Sequence, residues 1–154
     1  MTNTIRPLNP IYPHYMADPF VLRHEGTYYA YGTGPGGPNG QQFPLLWSLD
    51  LMEWHACGWA LEPIPGAAEY WAPEVAFAEG MFYLYFSASG LNGQDHQLRV
   101  ATSPAPTGPF IDTGRVLTPN VPFSIDAHPF RDAVGRWYLY YSCDFLTLEG
   151  DYRV

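Results

Sequence analysis

The sequence predicts an all-β fold of the propeller type, and three observations predict it. A strand-like run carrying a proline and a carboxylate occurs three times, as Asp18-Pro19-Phe20-Val21-Leu22, Pro73-Glu74-Val75-Ala76-Phe77 and Asp126-Ala127-His128-Pro129-Phe130. Each run is followed by a turn glycine, Gly26, Gly80 or Gly135, and then by an aromatic strand such as Met81-Phe82-Tyr83-Leu84-Tyr85-Phe86. No 3.6-residue hydrophobic period holds for more than one or two turns, which removes helices from the reading. The prolines at 19, 73 and 129 set a period of about 55 residues. Short strands repeating at that interval are the mark of blades arranged radially about an axis. Carboxylates recurring on the innermost strands would then converge on one pocket.

Each element follows from local chemistry. Residues 1 to 17, rich in Pro, Asn and Tyr, read as an irregular arm leading to the first inner strand. Strands are predicted near 18–23, 27–33, 44–49 and 53–60, with His24-Glu25-Gly26 as the first hairpin turn. Gly34 to Gly40, with four glycines and two prolines, is a long loop, and Trp54 packs back on its blade. The second repeat gives strands near 74–79, 81–88, 97–102 and 110–117. Between its last two strands the prolines and glycine of Thr102 to Pro109 forbid regular structure. The third repeat gives 126–131 and 136–142 only. The domain reading is a single partial propeller over 1–154: blade one about 18–60, blade two about 71–117, and an incomplete blade three about 124–154.

Composition bounds the function. Aromatics make up 17% of the 154 residues and charged residues 14%, a packed chain and not a disordered one. A net charge of −8 with only seven scattered Lys and Arg leaves no basic stripe for nucleic acid or an anionic membrane. No apolar run reaches membrane-span length, and the N-terminus lacks a charged-then-apolar leader. The expectation is a cytoplasmic protein, with secretion open if a leader has been removed. Cys57 and Cys143 lack CxxC spacing; they leave a disulfide open and suggest neither redox nor zinc chemistry.

Several ordered motifs together carry a resemblance. Asn9-Pro10-Ile11 leading into Ala17-Asp18-Pro19-Phe20, then Trp71-Ala72-Pro73-Glu74, Ala101-Thr102-Ser103 to Gly108-Pro109-Phe110, and Ser124-Ile125-Asp126-Ala127-His128-Pro129-Phe130 resemble the N-terminal half of glycoside hydrolase family 43. The resemblance implies a five-bladed β-propeller of four-stranded antiparallel blades, of which this chain holds about two and a half. It implies an inverting arabinofuranosidase, β-xylosidase or arabinanase acting on pentose-containing oligosaccharides or polysaccharides. It also implies Asp18 as general base and Asp126 as the aspartate that tunes the acid. Inversion requires a base and an acid roughly 6.5–9.5 Å apart, and a second carboxylate near the acid raises its pKa.

The family's general acid is a Glu on a later blade, which this chain does not reach. Glu149 reads as a rim residue after the third repeat. The chain is therefore expected to supply a base without its acid, so that it is either half of a glycosidase or a non-catalytic carbohydrate-binding or structural piece. No metal ligand set and no required cofactor is read from the residues. The resemblance allows a calcium or sodium ion on the propeller axis, although the family's ion-holding histidine also comes later.

The substrate-binding candidates are Trp71, Glu74, His14 and Phe20. Trp71 reads as a sugar platform or equally as a core residue sealing two blades. Glu74 reads as a substrate contact or a buried residue bonded to neighbouring backbone. His14 and Tyr15 would line the pocket mouth, whereas strand alternation makes His128 a satisfied core histidine. A blade face of roughly 400 Å² left uncovered forgoes up to ~10 kcal/mol of burial. Ring closure by the missing C-terminal half, or by a second copy in a two-fold homodimer, is therefore expected.

Overall fold

The computed structural model describes residues 10–144. Ten strands form three antiparallel sheets. The first holds β1 (Ala17–His24), β2 (Thr27–Thr33), β3 (Gln42–Ser48) and β4 (His55–Leu61) in sequential order. The second holds β5 (Tyr70–Ala78), β6 (Met81–Ala88), β7 (Gln97–Ser103) and β8 (Ile111–Val116), again in order. The third is the pair β9 (Ser124–Arg131) and β10 (Trp137–Cys143). The all-β propeller reading is right: two four-stranded blades and the inner pair of a third. Among the described residues there is no α-helix, and no helix long and apolar enough to cross a membrane. Glu149 lies outside the described residues.

The core lies between blades one and two. Tyr31, Phe43, Leu45 and Leu61 from the first sheet meet Val75, Phe82, Leu84 and Phe86 from the second and Phe110 just before β8, all essentially without solvent exposure. Phe43 meets Phe86 edge-on at 5.7 Å, a favoured aromatic geometry. The blades are also joined by backbone: Phe110 N–H donates to Ala60 O at 2.8 Å and Glu62 N–H to Phe110 O at 3.0 Å. On the other side of blade two, β9 packs against β5, β6 and β7.

The hairpins follow their turn chemistry. Glu25-Gly26 and Glu79-Gly80 both have positive φ at their two central residues, the form that matches strand twist in a two-residue hairpin. The β9–β10 hairpin is longer. The Asp132 carboxylate closes it, accepting from the backbone N–H of Val134 at 3.1 Å and of Arg136 at 2.8 Å, and from Arg136 Nε at 2.8 Å. These bonds outweigh the effect of burial, which alone would raise its pKa, and hold the carboxyl below the usual aspartate range.

Each inner strand carries one irregularity at the same place. The ladder shifts between Ala17 and Phe20, between Trp71 and Glu74, and opposite Tyr140/Ser142. In these bulges Asp18 (φ 48°), Ala72 (φ 48°) and Asp126 (φ 57°) take the left-handed conformation. The structural repeat is therefore 54 residues, at 18, 72 and 126. This corrects the sequence register. Glu74 is not the counterpart of the two aspartates; Ala72 is. Glu74 matches Phe20 and His128, and Pro129 matches Val21 and Val75 rather than Pro19 and Pro73. Proline marked the strands but not their phase, because a bulge is a backbone event that residue type only weakly announces.

Candidate active site

The three bulges turn one end of the inner strands toward a common cavity of about 280 Å³, lined by Asp18, Pro19, Phe20, Ala72, Pro73, Glu74 and Asp126. A bulge re-aims a side chain that regular alternation would send elsewhere, and Asp tolerates the left-handed region better than most residues. Asp18 and Asp126, from the first and third blades, thus share a pocket with the second blade between them. Among the described residues no Lys or Arg lines it.

Two of the carboxylates are held by side chains. Thr33 Oγ1 donates to Asp18 Oδ2 at 2.9 Å and itself accepts from the Ala72 backbone N–H at 2.8 Å. Glu74 Oε2 lies 2.8 Å from His128 Nδ1. His128 is thus no core residue: its side chain is 54% exposed and bonded across two inner strands. It stands two residues beyond Asp126, immediately past the bulge that interrupts strand alternation there.

The remaining candidates are placed differently. Phe20 lines the cavity and packs on the core beside it. Trp71 is half-buried outside the lining, its ring stacked on His96 at 3.6 Å between centroids. His14 lies in a second cavity with Tyr12, Met16, Val21, Leu46 and Trp54, which shares Pro19 with the first cavity but is lined by neither aspartate.

Sequence reasoning passed over Thr33 and His96. Nothing in Gly32-Thr33-Gly34 marks a hydroxyl aimed at a neighbouring strand. His96 is buried, and among the described residues its Nε2 has no hydrogen-bond partner while lying 3.7 Å from Glu69 Oε2. The His96 backbone N–H and ring both bond Asp95, which holds that carboxyl below the ordinary aspartate range. The His96 carbonyl accepts from the Ser124 N–H at 2.9 Å and so ties the start of β9 to blade two.

Among the described residues no group of three or more His, Cys, Asp or Glu is arranged to hold a metal ion. Cys57 and Cys143 are both free and exposed, so the open disulfide question is settled against a bond between them.

Comparison with known proteins places this geometry. The probable arabinan endo-1,5-alpha-L-arabinosidase B of Aspergillus oryzae is 32% identical over 122 residues, covering 75% of this chain and 33% of that protein. The xylosidase/arabinosidase 43A of Humicola insolens is 30% identical over 144 residues, covering 82% and 43%. The crystal structure of a thermostable family-43 glycoside hydrolase superimposes with a TM-score of 0.79 at 34% identity, over 88% of this chain and 44% of that one. The chain thus spans between a third and a half of the length of these relatives. A family model covers residues 7–146, and with it the chain belongs to glycosyl hydrolases family 43.

Proposed function

We propose that this chain carries the general base, Asp18, and the acid-tuning aspartate, Asp126, of an inverting glycosidase acting on arabinose- or xylose-containing glycans. The observation that carries this reading is the cavity shared by those two aspartates, brought together from strands far apart in sequence. In an inverting reaction one carboxylate draws a proton from water while an acid on the opposite face protonates the leaving oxygen. Glu74, the third carboxylate in the cavity, already shares an oxygen with His128. The acid is therefore assigned to a residue beyond those described. The names of the relatives support pentose substrates. Phe20 is the aromatic surface that lines the cavity and so is available to a sugar ring.

Among the described residues blade three shows only β9 and β10, and the partner that fits is either a polypeptide segment bringing further strands or a second copy of this chain.

Hydrolysis of nitrophenyl arabinofuranoside and xyloside tests the assignment, with Asp18→Asn as the control. A fall of about 100-fold or more in that variant is expected, the usual contribution of a general base. Equal rates in the two would overturn it. No hydrolysis by either, with a sugar-dependent rise in melting temperature in both, favours a carbohydrate-binding role, which the unassigned acid supports as the second reading.

A further inference from the structure

We infer that Thr33 is a positioning residue for Asp18, a role that rests on reading Asp18 as the base. A threonine hydroxyl has one proton to give. The Ala72 N–H, 2.8 Å away, can only donate, so it occupies Thr33 Oγ1 as an acceptor. The Thr33 proton must then go elsewhere, and Asp18 Oδ2 stands at 2.9 Å. An ionised carboxylate only accepts, so the direction of both bonds is fixed without seeing a hydrogen: Ala72 N–H to Thr33, Thr33 O–H to Asp18.

This relay does what the backbone cannot. The left-handed bulge sets where the Asp18 side chain leaves the strand. It leaves rotation about the side-chain bonds free, and an exposed aspartate ordinarily samples several rotamers. Pinning Oδ2 selects one of them. Among the described residues Oδ1 has no hydrogen-bond partner, so it is the oxygen left to receive a proton from water. Thr33 ends β2 opposite Ala17, while Ala72 lies on β5 in the equivalent bulge of the next blade. Docking of blade two on blade one therefore completes the orientation of a group that belongs to blade one. A structural threonine at a strand end needs neither bond.

The test uses the labelled 154-residue chain as wild type, Thr33→Val and Thr33→Ser. Valine keeps the shape and removes the hydroxyl; serine keeps the hydroxyl. Three-bond couplings from Asp18 Cγ to the backbone nitrogen and carbonyl carbon report its χ1 rotamer. Wild type and Thr33→Ser are expected to show one staggered rotamer and Thr33→Val an average over several. A single unchanged rotamer in folded Thr33→Val overturns the proposal. Should the valine variant fail to fold, the wild type decides alone: a slowly exchanging Thr33 hydroxyl proton with contacts to Asp18 supports the relay, and a freely exchanging one overturns it. On the nitrophenyl glycosides, kcat of Thr33→Val is expected to fall about tenfold with KM within twofold, and Thr33→Ser to recover most of it. A loss carried by KM counts against positioning. A chain inactive on these sugars, by contrast, is what an acid outside the described residues would give, and the rotamer comparison then decides the relay by itself.

Discussion

His128 Nδ1 stands 2.8 Å from Glu74 Oε2, so the innermost strands of neighbouring blades are bonded side chain to side chain beside the two aspartates. The pair is half in water, with side-chain exposures of 54% and 27%, so its net value is small. A double-mutant cycle with Glu74→Gln and His128→Gln, read by urea unfolding, is expected to give a coupling of about 0.5 kcal/mol. A coupling indistinguishable from zero would show the pair to be incidental.

The Arg99–Asp112 pair is a different case, because both side chains are nearly buried, at 8% and 12% exposure. Arg99 holds both carboxylate oxygens, Nε to Oδ1 at 3.2 Å and Nη2 to Oδ2. Asp112→Ala leaves a buried guanidinium unpaired and is expected to cost about 3–5 kcal/mol in urea unfolding. The Arg99→Met, Asp112→Leu double variant should recover most of that loss. If the double variant is as unstable as the single one, desolvation is not what governs the site.

Tyr31 links stability to alkaline pH. Burial pushes its hydroxyl well above the ordinary tyrosine value, with the neighbouring Tyr29 and Cys57 adding to the shift. The folded chain thus keeps a proton that the unfolded chain releases above about pH 10. With more protons bound in the folded state, stability is intact below that point and falls as pH rises past it. Tyr31→Phe loses the bond to the Pro106 carbonyl, about 1 kcal/mol at neutral pH. It should nonetheless close the gap to wild type by about 1 kcal/mol between pH 9 and 11. Parallel pH curves for the two would refute the linkage.

The hairpin turns offer a gain. Glu25 and Glu79 are exposed at φ 47° and 52°, conformations that a long side chain adopts with strain. Replacing either by Asn creates the Asn-Gly pair such turns prefer. Each change is expected to raise stability by about 0.5–1 kcal/mol, measured by the urea midpoint at unchanged m-value.

The strands were legible because their causes are local. Turn glycines at 26 and 80 and the aromatic alternation of Thr27-Tyr28-Tyr29-Ala30-Tyr31 place hairpins with little help from tertiary context. The shared cavity was legible from the recurrence of Asp18 and Asp126. What escaped was phase and reach. The left-handed residue of blade two is Ala72, whose methyl gives no signal, so the eye falls on Glu74 instead. His128 was assigned to the core on strand alternation, which does not hold across the bulge at 126–127, and its partner Glu74 lies 54 residues away. Thr33 was invisible for the same reason: its bonds go to Asp18 and Ala72, and its own neighbours are glycines.

The offsets in the inner strands also bear on how such a chain can change over time. Deleting a single residue from 17–19 or 125–127 would restore an unbroken ladder and swing the aspartate toward the apolar seam between sheets, where an unpaired charge costs more than the chain can bear. Gains and losses of length are tolerated instead in connectors such as 34–41 and 89–96. Divergence toward a new glycan should therefore proceed through those connectors, while the three kinked segments accept exchanges of residue type but no change in count.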